Sequence, residues 1–190
     1  MPRSPRLPQL LTCAVLGLLA CSARASAPSP APDSLQPLLV TLNERLSMGD
    51  LVALTKWDSG RPIQDSARET QVIANARKIA VDRKLDPDEV AELIAAQIEA
   101  SKLVQYGLIA HWRAAGKAPD TPRPDLANQI RPQLDALQNR LLQQYADFAP
   151  YRHDPECANW LAKERSGLIK DSLHGQALIR ATGELCVADL

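Results

Sequence analysis

Gln97-Ile98-Glu99-Ala100-Ser101-Lys102-Leu103-Val104-Gln105-Tyr106 lies inside a longer segment, from about Asp88 to Ala115, whose apolar residues decide the fold. Val90, Leu93, Ile94, Ile98, Val104 and Leu108 recur at helical intervals, so one stripe of a long helix faces a core. The polar exceptions carry the chemical interest. Ser101 and Gln105 are four apart on one face beside that stripe, which aims a hydroxyl and an amide in the same direction. Two readings of the pair stand at this point. It is a shared polar site, or Ser101 bonds back to the Gln97 carbonyl and Gln105 is an ordinary surface residue.

Upstream, Asp33 or Ser34 can cap a helix in which Leu35, Leu38, Leu39, Leu42 and Leu46 follow at helical spacing. The pattern continues through Leu51 and Leu54 to Trp57, with a kink expected at Gly49-Asp50. Arg45 and Lys56 sit on this helix three turns plus about 20° apart, so they share a face at about 16 Å along the axis. They can converge on one small anion or remain a solvated face. Asp58-Ser59-Gly60-Arg61-Pro62 reverses the chain, and the next helix starts near Asp65 or Ser66 and carries Val72, Ile73, Ala76, Ile79 and Ala80. Ser66-x-x-Glu69 has the form of a capping box, in which Glu69 and Asp65 satisfy helix-start N–H groups and Arg68 is a bystander. Leu85-Asp86-Pro87-Asp88 is a second turn and cap that launches the long helix.

Downstream, Gly116 to Pro124 is a proline-rich loop, and Leu126, Ile130, Leu134, Leu137, Leu141 and Leu142 predict a fourth helix. Pro132 lies in its first turn or kinks it, which puts Arg131 near a helix start or bend, where a charge can be aimed inward. Tyr145 to Pro155 reads as irregular. Two shorter helices follow, one carrying Leu161, Leu168 and Ile169, the other Leu173, Leu178, Ile179 and Leu185. Glycine is scarce, aromatics are only 4% of the chain, and no convincing alternating strand occurs, so the expectation is an all-α, single-domain bundle of about six helices.

The N-terminus reads as targeting rather than structure. Arg3 and Arg6 form a basic region, Leu7 to Ala20 an apolar run, and Ala23-Arg24-Ala25 a small-x-small cleavage site. This divides the chain into a signal peptide over 1–25, a Pro/Ala linker over 26–33 and a folded domain over 34–190, with a periplasmic or secreted product. Leu18-Leu19-Ala20-Cys21 offers a rival, in which Cys21 is lipidated and the linker becomes a membrane tether. Cleavage removes Arg3, Arg6 and Arg24 from the 22 basic residues and none of the 22 acidic ones, giving a net charge of −3. Such a surface has no basic field for nucleic acid. Cys13 and Cys21 belong to the export segment, so Cys157 and Cys186 remain as a pair in an oxidising compartment, and a disulfide stapling the C-terminal helices is the natural inference. Metal binding is the weaker alternative, because two cysteines without clustered histidine do not complete a tetrahedral site. His111, His153 and His174 are widely separated, which gives little support to a metal site or a His-based triad, and no glycine-rich phosphate loop is present.

Taken together, Glu44-Arg45-Leu46, Lys56-Trp57, Pro62-Ile63-x-Asp65-x-x-Arg68-Glu69, Gln97-Ile98-Glu99-Ala100-Ser101-Lys102-x-x-Gln105 and Ile130-Arg131-Pro132 resemble the secreted, all-helical chorismate mutases over essentially the whole mature chain. The motifs occur in family order and at family-like spacing, and the late cysteine pair is typical of the secreted branch. The resemblance implies a type II-like bundle that rearranges chorismate to prephenate, without cofactor or metal, as a homodimer whose sites each lie within one chain. It implies Arg45 and Arg131 as carboxylate clamps, with Arg68 supporting one of them, and Lys56 and Gln105 as donors to the ether oxygen. It also implies Glu69 as the hydroxyl acceptor, Ser101 as a carboxylate contact and Asp65 at the site's edge. Arg140 is the alternative to Arg131, since the loop before it varies. The chemistry asks for no nucleophile: chorismate is a dianion, and its pericyclic rearrangement builds negative charge on the ether oxygen, so anion clamps and aimed donors suffice. Two rivals are an isochorismate pyruvate lyase on the same scaffold and a non-catalytic exported helical binding protein. Intact Arg45, Lys56, Arg68 and Gln105 argue against the latter.

Overall fold

The computed structural model describes residue 1 and residues 29–187, and these contain six α-helices. Cys13, Cys21, the Ala23-Arg24-Ala25 site and the start of the linker lie outside the described residues. Helix α1 spans Leu35–Ser59 and stops at Gly60, whose φ of 65° is the left-handed conformation that a residue without Cβ adopts cheaply. It runs unbroken through Gly49-Asp50, where a kink was expected. A Cβ on Gly49 would lie 3.3 Å from the Ser101 Oγ, so this glycine serves the close approach of two helices rather than a bend.

Helix α2 is Ser66–Asp82, and its cap is Asp65 rather than Ser66. The Arg68 amide donates to Asp65 Oδ1 at 3.2 Å, and the Asp65 amide donates to Glu69 Oε1 at 3.1 Å, so the box closes one residue earlier than the sequence pattern suggested. Helix α3, Pro87–Ala115, starts on Asp86, whose carboxylate accepts from the amides of Asp88 and Glu89. A single π turn, Leu126–Ile130, leads into α4, Arg131–Phe148, with Pro132 in the first turn of α4. The stretch from Tyr145, expected to be irregular, stays helical to Phe148 and ends in a 3-10 turn at Ala149–Tyr151. The reason is packing: Leu141, Tyr145 and Phe148 continue one face and are all fully buried. Helices α5, Cys157–Ser166, and α6, Ser172–Ala181, complete the set, with Leu168 and Ile169 in the connection between them rather than on α5. A disulfide joins Cys157, which opens α5, to Cys186, just past α6.

Helix α3 packs on α1, α2 and α6, and α1 packs on α4. Three apolar clusters result. The largest gathers Leu35, Leu38, Leu39 and Leu42 of α1 with Leu93 and Ile94 of α3, Leu141, Leu142 and Phe148 of α4, and Trp160 of α5. A second joins Leu46 and Val104 to Leu178 of α6, and a third sets Trp57 edge-on to Trp112 at 6.0 Å, next to Leu54 and Ile109. Among the described residues no helix is long and apolar enough to cross a membrane.

Candidate active site

The helices that share the large apolar cluster separate further along to enclose a cavity of about 830 Å³. Its wall includes Arg45 and Lys56 of α1, Asp65, Arg68 and Glu69 at the start of α2, Ser101 and Gln105 of α3, and Arg131 of α4. All eight side chains singled out in the sequence therefore meet in one place. Arg140 does not line it; it pairs with Glu44 on an exposed flank.

Charge around the cavity is uneven. Arg45, Lys56, Arg61, Arg68, Lys102, Arg123 and Arg131 face five carboxylates, those of Asp58, Asp65, Glu69, Asp125 and Asp135. Every one of these carboxylates has a partner within the protein. Asp58 pairs with Arg123 at 2.8 Å, Asp135 with Arg68 at 3.3 Å and Glu69 with Lys102 at 3.2 Å. Asp65 and Asp125 accept helix-start amides. Among the described residues, Arg45, Lys56, Arg61 and Arg131 form no ion pair, and Arg61 is exposed. The cavity thus holds uncompensated positive charge, which suits an anion with more than one negative group.

The individual side chains are held firmly. Arg45 donates one N–H to the Leu134 carbonyl at 2.9 Å, and burial pushes its guanidinium down to about 10; Asp135 opposes that shift and Arg68 adds to it. Lys56 donates to the carbonyls of Pro62 and Ile63 at 2.8 and 2.5 Å. An ammonium has three N–H donors, so one remains. Burial lowers the Lys56 pKa, against the pull of Asp65 and Glu69 and with the help of Arg131 and Lys102. Gln105 is buried and its Nε2 lies 3.1 Å from Ser101 Oγ, while its Oε1 is buried without a partner. In this contact the Gln105 amide donates and the Ser101 hydroxyl accepts. A hydroxyl donates as readily as it accepts, so the same contact also serves with the amide turned over and its NH2 aimed at the unpartnered position. Gln97 is occupied elsewhere: its amide donates to the Ala181 carbonyl and ties α3 to α6.

Several wall residues escaped the sequence reading. Lys102 hides behind a surface pattern, because Glu99 three residues before it reads as a solvated helix pair. In the fold it is buried, bonded to Glu99 at 2.6 Å, Glu69 at 3.2 Å and Gln64 at 3.5 Å, and its pKa is raised first by Glu99, against burial. Arg123, between prolines, and Asp135, on the polar face of α4, carry no local signal at all; their partners Asp58 and Arg68 are remote in sequence.

Comparison with known proteins finds relatives over most of the chain. The family Chorismate mutase type II matches residues 36–106. The secreted chorismate mutase of Mycobacterium tuberculosis is 33% identical, over 92% of this chain and 89% of its own. The crystal structure of chorismate mutase from Burkholderia phymatum superposes with a TM-score of 0.80 at 41% identity, covering 82% of this chain and 98% of that one. That from Burkholderia thailandensis gives 0.78 at 35% identity, over 82% and 100%.

Proposed function

Because this chain belongs to the secreted chorismate mutases of the type II family and so rearranges chorismate to prephenate, we propose that the cavity between α1, α2, α3 and α4 is where it does so. In this reading Arg45 and Arg131 hold the two carboxylates of the substrate as forks, with Arg68 behind them. Lys56 and Gln105 donate to the ether oxygen, Glu69 accepts the substrate hydroxyl, and Ser101 contacts a carboxylate or orients the Gln105 amide. Asp65 stays at the edge as the cap of α2.

One observation carries the assignment. The cavity cations left without a carboxylate partner are Arg45, Lys56, Arg131 and the exposed Arg61, and the first three match what the rearrangement needs for a dianion and a developing oxyanion. Lys56 has one N–H to spare, and its two carbonyl bonds fix the direction of that donor before substrate arrives, so little reorganisation is needed at the transition state. Closing a flexible enolpyruvyl side chain over a ring in a shaped cavity supplies the orientation term. No group in the protein forms a bond to substrate in this scheme; bond breaking and bond making are both internal to chorismate.

Purified mature protein should consume chorismate, followed by its ultraviolet absorbance, with prephenate as the product identified by mass. Loss of chorismate without prephenate, or with release of pyruvate, would defeat the reading. We further propose export, supported by the targeting pattern over residues 1–25 and by relatives described as secreted. A homodimer is proposed on the family resemblance alone, and sedimentation at micromolar concentration tests it.

A further inference from the structure

Two lysines line the cavity, and their hydrogen bonds differ in a way that separates their roles. Lys56 keeps a donor free. Lys102 is committed to the protein: it pairs with Glu99 Oε1 at 2.6 Å and donates to Glu69 Oε2 at 3.2 Å, with Gln64 Oε1 at 3.5 Å, the outer limit of a hydrogen bond. An ammonium held between two carboxylates is engaged by the protein first and has little to offer a substrate. What it does is fix its partners.

Of its partners, Gln64 and Glu69 line the cavity, and Glu69 is the carboxylate. One carboxylate oxygen accepts the Asp65 amide at the start of α2, and the other accepts from Lys102 on α3, so the group is pinned at both corners by different helices. Each carboxylate oxygen can accept more than one hydrogen bond, which leaves room for a substrate hydroxyl at Oε2. Without Lys102 the Glu69 carboxylate would be held only through Oε1 by the Asp65 amide and could pivot about that one bond. The Lys102 side chain is only 10% exposed, so water would replace the clamp poorly.

We propose that Lys102 is a positioning residue that holds the Glu69 carboxylate in the orientation in which it accepts the hydroxyl of the substrate. The proposal rests on Glu69 as the hydroxyl acceptor. That hydroxyl sits on the ring carbon next to the breaking C–O bond but is neither broken nor charged in the reaction, so its contact changes little between ground state and transition state, and loosening it raises KM more than it lowers kcat. The Lys56 and Gln105 donors act on developing charge and move kcat instead.

The test is steady-state kinetics on chorismate for Glu69→Ala, Lys102→Met, Lys102→Arg and the Glu69→Ala/Lys102→Met double variant, each checked for native circular dichroism. Glu69→Ala should raise KM about tenfold, Lys102→Met about fivefold, and kcat should change by less than about threefold in either. Lys102→Arg should recover most of the loss. The double variant should be no worse than Glu69→Ala alone, because the lysine acts through the glutamate. If Lys102→Met does not fold, Glu69→Ala is compared in the parent and Lys102→Arg backgrounds, where a combined loss no greater than that of Glu69→Ala supports the proposal and a multiplicative one defeats it. A KM unchanged in Glu69→Ala defeats the hydroxyl-acceptor reading and the proposal with it. A raised KM in Glu69→Ala combined with an unaffected Lys102→Met, an effect of Lys102→Met on kcat alone, or multiplicative losses in the double variant, defeats the proposal and leaves Glu69 in its role.

Discussion

Four helices each give one half to an apolar slab and the other half to the cavity, and the two halves obey opposite rules. In the slab, Leu39, Ile94, Leu142 and Ala80 are fully buried against one another and ask only for volume. In the cavity wall, Arg45, Lys56, Ser101 and Arg68 sit on the same helices a few turns away, and each is defined by a specific partner or by the lack of one. The slab stabilises the chain by removing area from water. Within the wall, Arg45 and Lys56 work against stability, since burial lowers the pKa of both, which means that the fold holds their charged forms at a disadvantage. The lesson is a separation of duties: changes in the wall should cost turnover and leave melting almost alone, and changes that loosen the slab should do the reverse.

The sharpest break of that separation would come from Arg45→Ala and Lys56→Ala. Each removes a charged contact to the reacting dianion, so kcat/KM should fall by at least about 100-fold. Neither residue contributes net electrostatic stability, so the melting temperature should stay within about 4 °C of the parent protein. Activity within threefold of wild type in either variant would remove that residue from the site. A large drop in melting temperature with it would merge the two regions that the fold keeps apart.

Next in size is Gln105→Glu. An amide N–H donates at every pH, so the parent protein should show a nearly flat turnover profile from mildly acidic to neutral conditions. A carboxylate donates only when protonated, and an ionised one in a buried position repels the charge that develops on the ether oxygen. Turnover of the variant should therefore drop by roughly 10- to 100-fold at neutral pH and return on acidification. Equal activity across that range would show that Gln105 is not the donor.

How much of this was legible in the sequence follows the same division. Slab residues announce themselves by spacing, because burial of one face imposes a 3.6-residue period; Leu35 to Leu46 and Val90 to Ile98 were readable on that ground alone. Boundaries were less so. The helix continuing through Tyr145 to Phe148 depended on contacts with other helices, while the cap at Asp65 rather than Ser66 rests on a local bond that either side chain can accept. The eight wall residues were found through family motifs, since nothing in local periodicity distinguishes Arg45 from a solvated arginine. Lys102 was missed because its local partner, Glu99, gives the ordinary signature of a surface pair, and only the approach of α2 turns it inward. Gly49 was misread for a related reason: a glycine that makes room for Ser101 looks in sequence like one that bends a helix.

A smaller effect on turnover should appear at alkaline pH. The Lys56 pKa is lowered from 10.5 and Arg45 titrates at about 10, and both must be protonated to hold and polarise the dianion, so kcat/KM should fall at least about twofold between pH 8 and 10. Both folded pKa values lie below the unfolded ones. The unfolded chain then binds more protons through this window, and the contribution of these two groups to stability rises with pH rather than falling. Lys102 behaves in the opposite sense. Its pKa is raised above 10.5, so its stabilising share is complete below 10.5 and is lost only as pH rises through the higher folded value, beyond the window. A melting temperature that fell in step with kcat/KM between pH 8 and 10 would mean that the alkaline limb reports unfolding and not the wall.

The smallest effect on turnover, and the largest on stability, belongs to the staple on the slab side. Cys157 opens α5 among the residues of the large cluster, and Cys186 follows α6, so the disulfide closes a loop that holds both short helices against the slab. Neither cysteine lines the cavity. On the chain-entropy account, opening a loop of this length releases roughly 3 to 4 kcal/mol of restraint on the unfolded chain, which for a chain of this size corresponds to a melting temperature lower by on the order of 10 °C. Below that lowered transition the folded protein keeps α1 to α4 packed as before, because their mutual contacts do not pass through the sulfur atoms. Reduction with a thiol should then leave kcat and KM unchanged at 25 °C while the thermal transition moves down. Kinetics that change on reduction at a temperature where circular dichroism is native would show that α5 and α6 position the wall through Gln97 and its bond to the Ala181 carbonyl. The slab would then be part of the catalytic machinery rather than its support.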